Sequence, residues 1–336
     1  MTFSHPGTYM SPAMTTALKT ANADPVRARA LEKLLLETPL DYKPQALVLV
    51  NIGYGGVGQG HKECTVDGQM AVSAAILYWA TGNAAYAKLA TAILKAWATT
   101  NTVWRGDNAI LEASWSVCSM ARAAELLKYS DALGVALWAP VEKPFFAWLD
   151  KVINPVLRSN VIWGWPLVGN WHFSQICARM QVAILREDAA EWAWCIKKYP
   201  EALNKTLVNK LCVGEVAESC RDLSHAQFLL GGAIQAPEIA FHQGVNLYDD
   251  RLLAAFELQA RLMMQQIPPG FTADDIHTPY GYWPEPVWEI AYNHFVVRKK
   301  REMPYTKTFL ETNKSARPER VTFHWGPNTL THYGRG

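Results

Sequence analysis

The chain has 336 residues, of which 50% are hydrophobic and 18% are charged, so it can bury a large core in one big domain or two ordinary ones. Its formal net charge of +2 argues against a nucleic-acid-binding protein, which usually shows a clustered basic excess. No segment has the roughly 18 to 20 uninterrupted apolar residues that a membrane helix needs. An acidic ligand would therefore have to be held by a local group of cations.

Helical periodicity dominates the chain. In chain order it predicts helices at 25–36, 70–79, 84–98, 110–129, 143–157, 173–186, 189–198, 224–234, 249–266 and 287–301. The first of these opens with Asp24 as a cap residue and Pro25 at the first helical position. Strict alternation of apolar and polar residues is nearly absent, so β-structure should be minor, with 321–325 as the best strand candidate.

The arrangement of these helices predicts an all-α fold. Long helices joined by short loops, with no charged linker between them, favour a single domain over residues 1–336 built of paired antiparallel helices. Many of the helices are apolar over most of their circumference, which favours a closed α/α toroid or barrel over an open solenoid. No fixed-period repeat is visible, which also argues against a helical repeat array.

The glycine-rich segment 53–61 looks at first like a phosphate-binding loop. It lacks the Gly-Lys-Ser/Thr ending of a P-loop, and no βαβ unit surrounds it. A flexible loop that delivers His61 to a cleft is the better interpretation. The six cysteines contain no C-x-x-C pair, so neither a metal nor a cofactor is expected, and whether Cys212 and Cys220 pair stays open.

The segment 218–227 carries the most chemistry. Its polar residues are Glu218, Arg221, Asp222, His225 and Gln227, and an apolar run follows directly. On a helix, Arg221 and His225 would be i, i+4 neighbours, with Glu218 on the same side. A cation, an imidazole and a carboxylate on one face indicate a pocket wall, although a structural Glu–Arg–Asp network within a helix bundle would give the same pattern.

Two further segments combine polar and aromatic residues. Asn170 and His172 flank Trp171 at the start of a predicted helix, where they offer hydrogen-bond donors beside an aromatic platform, although Asn170 or Ser174 could simply cap the helix. The segment 280–294 holds several aromatic and polar residues: Tyr280, Tyr282, Trp288, Glu289, Tyr292, Asn293 and His294. Core packing explains some of these rings but not the whole polar set.

Taken together, these segments resemble the alginate lyase superfamily of α/α-toroid polysaccharide lyases, and within it the branch that includes β-1,4-glucuronan lyases. The resemblance spans most of the chain. Its marks are His5-Pro6-Gly7, the stretches 79–87 and 94–97, Gly169-Asn170-Trp171, the Arg-Asp-x-x-His-x-Gln of 221–227, the stretch 243–248, Trp288-Glu289 with Tyr292-Asn293-His294, and 330–332. The classical mannuronan lyases differ, with Asn-Asn-His in place of Asn170-Trp171-His172 and a tyrosine near the place of His225.

The resemblance implies β-elimination on a 4-linked uronan, an acidic polysaccharide, without a cofactor. Such an enzyme removes the proton at C5, next to a carboxylate, and must neutralise the charge that develops there. Asn170, His172 and Arg221 suit that task, and His225 or a tyrosine would transfer the proton, with Tyr292 preferred and Tyr280 and Tyr282 as alternates. The expected substrate contacts are His61, Trp171, Glu218, Gln227, Tyr280, Tyr282, Trp288 and His294.

Two other functions stay open at this point. An α/α-barrel glycoside hydrolase would need two carboxylates that flank the scissile bond, for which Glu218, Asp222, Glu285 and Glu289 are candidates. A non-catalytic toroid could bind acidic glycans or a protein partner. No membrane or nucleic-acid partner is expected, and the sequence does not give the oligomeric state. The N-terminus lacks a signal-peptide pattern, so we expect a secreted or periplasmic protein shown without its signal peptide, with the cytoplasm as the alternative.

Overall fold

Helical hairpins form the body of the protein in the computed structural model, which describes residues 2–162 and 164–334. The helices are α1 (Pro12–Leu18), α2 (Pro25–Glu37), α3 (His61–Thr81), α4 (Ala84–Thr100), α5 (Ala109–Lys128), α6 (Ala132–Trp148), α7 (Asn154–Leu157), α8 (Gly169–Arg186), α9 (Ala189–Thr206), α10 (Leu223–His242), α11 (Arg251–Met263), α12 (Trp288–Tyr292), α13 (Pro304–Thr312) and α14 (Asn328–His332). Wider helical turns at Leu149–Ile153 and Asn293–Arg298 extend α6 and α12.

The helices form two concentric layers. Helices α3, α5, α8 and α10 pack against one another in succession, and α4, α6, α9 and α11 each pack outside their hairpin partners. Helices α12 and α14, followed by α2 and α1, complete the circuit back to α3. The predicted α/α toroid is confirmed, whereas the extent of a single domain over residues 1–336 stays a prediction.

The direction of the inner helices follows from the turns. The left-handed Gly82 ends α3, and the side chain of Asn83 then caps α4 by accepting a hydrogen bond from the backbone N–H of Ala85. Because each hairpin partner runs antiparallel, the four inner helices all run in the same direction. Their N-termini therefore meet at one end of the ring.

The core lies around the inner layer. In α5 every residue from Ala109 to Leu127 is buried, because α3 and α8 flank this helix and α6 covers its outer side. A helix in that position must be largely apolar on all sides, which accounts for the weak amphipathicity of the sequence there. No helix among the described residues is long and apolar enough to cross a membrane.

The β-structure is small and lies beside the N-termini of the inner helices. Strand β1 (Leu49–Ile52) pairs antiparallel with β2 (Gly58–Gln59) and parallel with β3 (Val103–Arg105). This sheet holds the loop 53–57 next to the start of α3. A second hairpin joins β4 (Val161–Ile162) to β5 (Trp165–Pro166). The expectation of minor β-structure is confirmed.

Two local predictions were wrong. The segment 321–325 is a tight turn with one bridge between Thr322 and Trp325, and it has no strand partner among the described residues. The segment 218–227 is not one helix, since α10 begins only at Leu223. Asp222 is the extended N-cap, and the N–H of Leu223 donates to the carbonyl of His277, so the chain before Asp222 turns away from the helix axis.

Candidate active site

A cleft of about 560 Å³ opens at the end of the toroid where the inner helices begin. Its walls come from the first turns of α3, α5, α8 and α10, the loop 54–56, the segment 280–285 and the turn 322–323. The lining includes Tyr54, His61, Glu112, Trp115, Trp171, Arg221, His225, Phe228, Tyr280, Glu285 and Phe323. The volume lies within the range of about 300–1,000 Å³ that is usual for small-molecule sites.

The helix N-termini give the cleft a positive field. His61 is the first residue of α3, Asn108 immediately precedes α5, Trp171 lies in the first turn of α8 and His225 in the first turn of α10. Each N-terminus carries a partial positive charge from its unpaired backbone N–H groups. Their convergence favours an anion, and the guanidinium of Arg221 adds a full charge at the same place.

His225 and Asp222 form a hydrogen-bonded pair at the start of α10. The Nδ1 atom of His225 lies 2.5 Å from Oδ2 of Asp222, while Oδ1 of Asp222 accepts a hydrogen bond of 2.8 Å from the backbone N–H of His225. One carboxylate thus caps the helix and orients the imidazole. Since Asp222 is 4% exposed and occupies Nδ1, the Nε2 atom remains for a ligand in the cleft.

A second histidine–carboxylate pair lies across the cleft. The Nδ1 atom of His61 lies 2.7 Å from Oε1 of the fully buried Glu112, which also accepts from Asn108 and Thr65. The hydrogen bond to Glu112 raises the pKa of His61, against the opposing effect of burial. His61 therefore holds its proton to higher pH than an ordinary histidine and can act as a cation toward an acidic ligand.

The motif Gly169-Asn170-Trp171 holds Glu218, which in turn pairs with Arg221. The Nδ2 group of Asn170 donates to Oε1 of Glu218 at 3.1 Å, and Oε2 of Glu218 pairs with Arg221 at 3.2 Å. Gly169 has a φ of +57°, and a Cβ atom there would lie 2.5 Å from Oε1 of Glu218. The glycine is thus required for this approach, and Asn170 is a positioning residue that does not line the cleft. The helix-capping alternative for Asn170 was wrong.

His172 faces a different cavity. This neighbouring pocket of about 320 Å³ is bordered by His172, Lys205, Glu218 and Arg221, so Arg221 lies between the two cavities. Burial, followed by the charges of Lys205 and Lys198, lowers the pKa of His172 to about 4. His172 is neutral near pH 7 and does not line the cleft with His225, so its predicted catalytic role is not supported by its position and stays a prediction.

The segment 280–294 contributes Tyr280 but not Tyr292. The ring of Tyr280 is 65% exposed, lines the cleft, and has its centroid 6.3 Å from that of His225. Tyr292 lies outside the cleft under the guanidinium of Arg317, 5.3 Å from its ring centroid. The position of Tyr280 therefore favours this alternate over Tyr292 as the proton-transfer residue, an assignment that stays a prediction. Tyr282 is exposed on the same segment without lining the cleft.

Two predicted substrate contacts are buried structural residues. Trp288 is 1% exposed and packs between Phe256 and Phe309. His294 is 3% exposed and stacks on Tyr248, with ring centroids 3.3 Å apart. Neither ring lines the cleft. The periodicity that placed these residues one turn apart is that of a helix packed into the core.

Gln227 also has a structural role. It is fully buried, donates to the carbonyls of Leu223 and Trp283 at 3.3 and 3.1 Å, and accepts from the backbone N–H of Glu285 at 2.9 Å. The amide ties α10 to the segment that carries Tyr280. Gln227 therefore shapes the cleft without contacting a ligand.

The carboxylates considered for a hydrolase are dispersed. Glu289 forms a buried ion pair with Arg317 at 2.8 Å, and Glu218 and Asp222 are held by Arg221 and His225. Of the four candidates, only Glu285 lines the cleft. The other carboxyl group of the cleft, Glu112, is held by His61. The arrangement does not offer two unengaged carboxylates to a glycosidic bond.

An aromatic floor was missed by the sequence analysis. The rings of Trp115 and Phe323 lie 4.1 Å apart, and Phe228 lies 5.4 Å from Phe323. Flat apolar faces of this kind suit the faces of sugar rings. Trp115 lies in a helix that is buried all round, and Phe323 lies in a turn with a φ of +50°, so neither showed a recognisable pattern.

Glu112 was missed for a similar reason, because a lone carboxylate in an apolar helix does not indicate a site until its partner His61 is known.

Among the described residues, no group of three or more His, Cys, Asp or Glu side chains is arranged to hold a metal ion. All six cysteines are free thiols, Cys212 and Cys220 included.

Comparison with known proteins gives a family and several structural relatives. The family model described as alginate lyase matches residues 61–264. The crystal structure of alginate lyase A1-III from Sphingomonas species A1 superimposes with a TM-score of 0.63 at 15% identity, covering 99% of this chain and 97% of that chain. An alginate lyase from Bacteroides ovatus gives a TM-score of 0.62 at 14% identity, covering 98% and 100%.

A tyrosine-to-phenylalanine variant of alginate lyase A1-III, complexed with tetrasaccharide, gives a TM-score of 0.66 at 15% identity and covers 98% of this chain and 99% of that chain. No curated protein sequence matches the chain. At these identities the structural matches establish the fold, and the match to the family model covers more than half of the chain.

Proposed function

Because the chain belongs to the alginate lyase family and is a polysaccharide lyase, we propose that it cleaves a 4-linked β-D-uronan, either glucuronan or mannuronate-rich alginate, by β-elimination. The observation that carries this proposal is the convergence of Arg221, His61 and His225 on one cleft at the N-termini of the inner helices. A site with cations at Arg221 and His61, a carboxylate-oriented imidazole at His225 and, among its described residues, no pair of unengaged carboxylates suits an anionic sugar and an elimination reaction.

The reaction requires stabilisation of negative charge. Removal of the C5 proton places a second negative charge on a group that already bears a carboxylate, so the developing enolate must be neutralised. Arg221 can bind the carboxylate with a planar pair of N–H donors, and His61 supplies a second cation because its pKa is raised by Glu112. The helix N-termini that line the cleft add their partial charges.

His225 is the base in this proposal. Its Nε2 atom accepts the C5 proton, while Asp222 holds the ring orientation through Nδ1 and stabilises the imidazolium that forms. The pair follows the general rule that a catalytic histidine is oriented by a carboxylate at its other nitrogen. The resemblance left open whether a histidine or a tyrosine transfers the proton. In this proposal His225 removes it from C5.

Tyr280 is the acid. As C5–H breaks, the electron pair forms the C4–C5 double bond, the C4–O4 bond breaks, and O4 needs a proton, which the phenol can give. In β-mannuronan and β-glucuronan the C5 proton and O4 lie on the same side of the ring. A base and an acid on the same side of the cleft, with ring centroids 6.3 Å apart, suit such a syn elimination.

The aromatic floor and the related complexes support a polymeric substrate. Trp115 and Phe323 line the same cleft with apolar rings, against which the face of a sugar ring can pack. Two variants of the related alginate lyase A1-III are known as complexes with tetrasaccharide. A chain-like substrate also favours a secreted or periplasmic location, which stays a prediction.

The test is to incubate the protein with alginate, polymannuronate and glucuronan and to follow near-UV absorbance and reducing ends. A lyase produces an unsaturated uronate that absorbs in the near UV, whereas a hydrolase produces reducing ends alone. Absence of an absorbance rise on all three polymers would refute the proposal.

Matched tyrosine variants test the assignment of the acid. Tyr280→Phe should lower kcat by about 100-fold or more, the usual contribution of a positioned proton donor, while Tyr292→Phe should leave kcat within about twofold. Equal losses in both variants, or a loss only in Tyr292→Phe, would contradict the assignment.

A further inference from the structure

Glu285 is a buried carboxyl group of the cleft that the proposed reaction does not use. It is 7% exposed and lies between Pro284 and Pro286, which restrict the backbone on both sides. Its backbone N–H donates to Gln227 at 2.9 Å, and its carbonyl accepts from the N–H of Val287 at 2.8 Å. The side chain is therefore held at the cleft wall by a rigid segment.

One oxygen of the Glu285 carboxyl group has no hydrogen-bond donor beside it. Its Oε2 atom is buried without a hydrogen bond, whereas Glu218, Glu112 and Asp222 each have a donor. An ionised carboxylate without a partner is costly in such a place, so the group resists ionisation. Burial raises the pKa of Glu285 to about 7, with the charge of the exposed Arg320 as the opposing influence.

The other charged and titratable groups around the cleft come from separate elements. They are Tyr54 on the loop 54–56, His61 on α3, Glu112 on α5, Arg221 and His225 at the start of α10, Tyr280 on the segment before Glu285, and Arg320 in the C-terminal part. Glu112 is engaged by His61, and Glu285 is left as the remaining carboxyl group of the lining. A neutral carboxylic acid there can donate one hydrogen bond, which an ionised one cannot.

We propose that Glu285 enters the cleft as a neutral carboxylic acid and donates a hydrogen bond to the carboxylate of the bound uronate, beside the cations of Arg221 and His61. The proton stays on Glu285 throughout, and no covalent step is involved. The inference rests on the proposed function, since it assumes an anionic sugar. An O–H donor to a carboxylate forms a short, charge-assisted hydrogen bond, whereas ionised Glu285 would repel the same ligand.

Binding should therefore be linked to a proton. At pH 7.5–8, roughly above the value at which Glu285 loses its proton, ligand binding should restore it, so the complex takes up a proton from the buffer. Calorimetric titration with a uronate oligosaccharide in buffers of different ionisation enthalpy measures that uptake. A His225→Ala background prevents turnover during the titration. Absence of proton uptake in this background would overturn the proposal.

Variants separate Glu285 from the other titrating groups. Glu285→Gln keeps a donor that never ionises, so it should bind the oligosaccharide at pH 6 within about threefold of the parent. It should lower the proton uptake at pH 8 and leave only the part that is linked to His61. Glu285→Ala should weaken binding at pH 6 by about 10- to 100-fold, the range for a hydrogen bond to a charged group. Glu289→Gln is the control, because burial also raises the pKa of Glu289 to about 7 but Glu289 lies outside the cleft.

The outcomes are distinguishable. If the wild-type protein cleaves none of the uronans, the proposed function itself fails. If it cleaves one of them but Glu285→Gln shows the same proton uptake as its parent, only the role of Glu285 fails. If Glu285→Gln does not fold, adding His61→Gln to the parent decides. Proton uptake that remains without His61 is assigned to Glu285, and loss of the uptake overturns the proposal.

Discussion

The pair formed by Asp222 and His225 allows stability and catalysis to be separated by one substitution. Asp222 uses Oδ1 to cap α10 at 2.8 Å and Oδ2 to hold the imidazole at 2.5 Å. Asparagine caps helices about as well as aspartate, so Asp222→Asn keeps the cap. Loss of the charge at the helix N-terminus should lower the free energy of unfolding by at most about 1 kcal/mol. The amide cannot stabilise the imidazolium that forms when His225 takes the proton.

We expect Asp222→Asn to lower kcat by about 100- to 10,000-fold, the usual contribution of a positioned acid–base group, which corresponds to about 3–5 kcal/mol of activation free energy. The assay is the initial rate of near-UV absorbance on the uronan that the wild type cleaves, with urea unfolding measured in parallel.

Asp222→Ala is the matched control. It removes the cap as well and should cost about 1–2 kcal/mol of folding free energy, with a loss of activity similar to that of Asp222→Asn. A folded Asp222→Asn protein with more than a tenth of the wild-type kcat would refute the assignment of His225 as a base oriented by Asp222.

Three further outcomes are expected. Gly169→Ala places a Cβ atom 2.5 Å from Oε1 of Glu218 at a φ of +57°, so urea unfolding should show a loss of about 1–3 kcal/mol, and an unchanged midpoint would contradict this. Arg221→Lys loses the planar two-point contact and should raise KM by about tenfold, with a larger rise in Arg221→Ala, whereas equal KM values in all three proteins would exclude carboxylate binding by this residue. Glu112→Gln removes the negative charge of the acceptor that raises the pKa of His61, so the imidazolium should be lost at lower pH than in the wild type, together with its contribution to substrate affinity. The NMR titration of His61 and the pH dependence of KM would show no shift if Glu112 had no such role.

The sequence predicted the helices better than it predicted the site. Hydrophobic periodicity located most of the hairpins because it indicates which face of each helix is buried. The buried faces form the contacts between the two layers of the ring. Helical spacing of aromatic and polar residues at Trp288 and Tyr292 indicated a binding face, although this spacing also results from burial. In the structure, Trp288 packs in the core and Tyr292 is covered by Arg317.

The parts of the site that were found are those with a local pattern. Arg221 and His225 lie close together in the sequence, although not on one helix, because Asp222 caps α10 between them. The parts that were missed depend on distant partners. Glu112 is recognisable as a site residue only through its contact with His61, and Phe323 only through its contact with Trp115. Such pairings arise from the closure of the ring, which a single sequence does not reveal.

The closure of the ring also makes enzymatic activity a measure of complete folding. The cleft walls extend from Tyr54 near the beginning of the chain to Phe323 near its end, with every inner hairpin between them. Hairpins form through contacts that are local in sequence, whereas the ring closes through contacts such as that of Tyr9 with Asn328, 319 positions apart, which carry a high loop-closure entropy. During refolding, helical circular dichroism should therefore recover before turnover, and the interval between the two signals reports the joining of the chain ends.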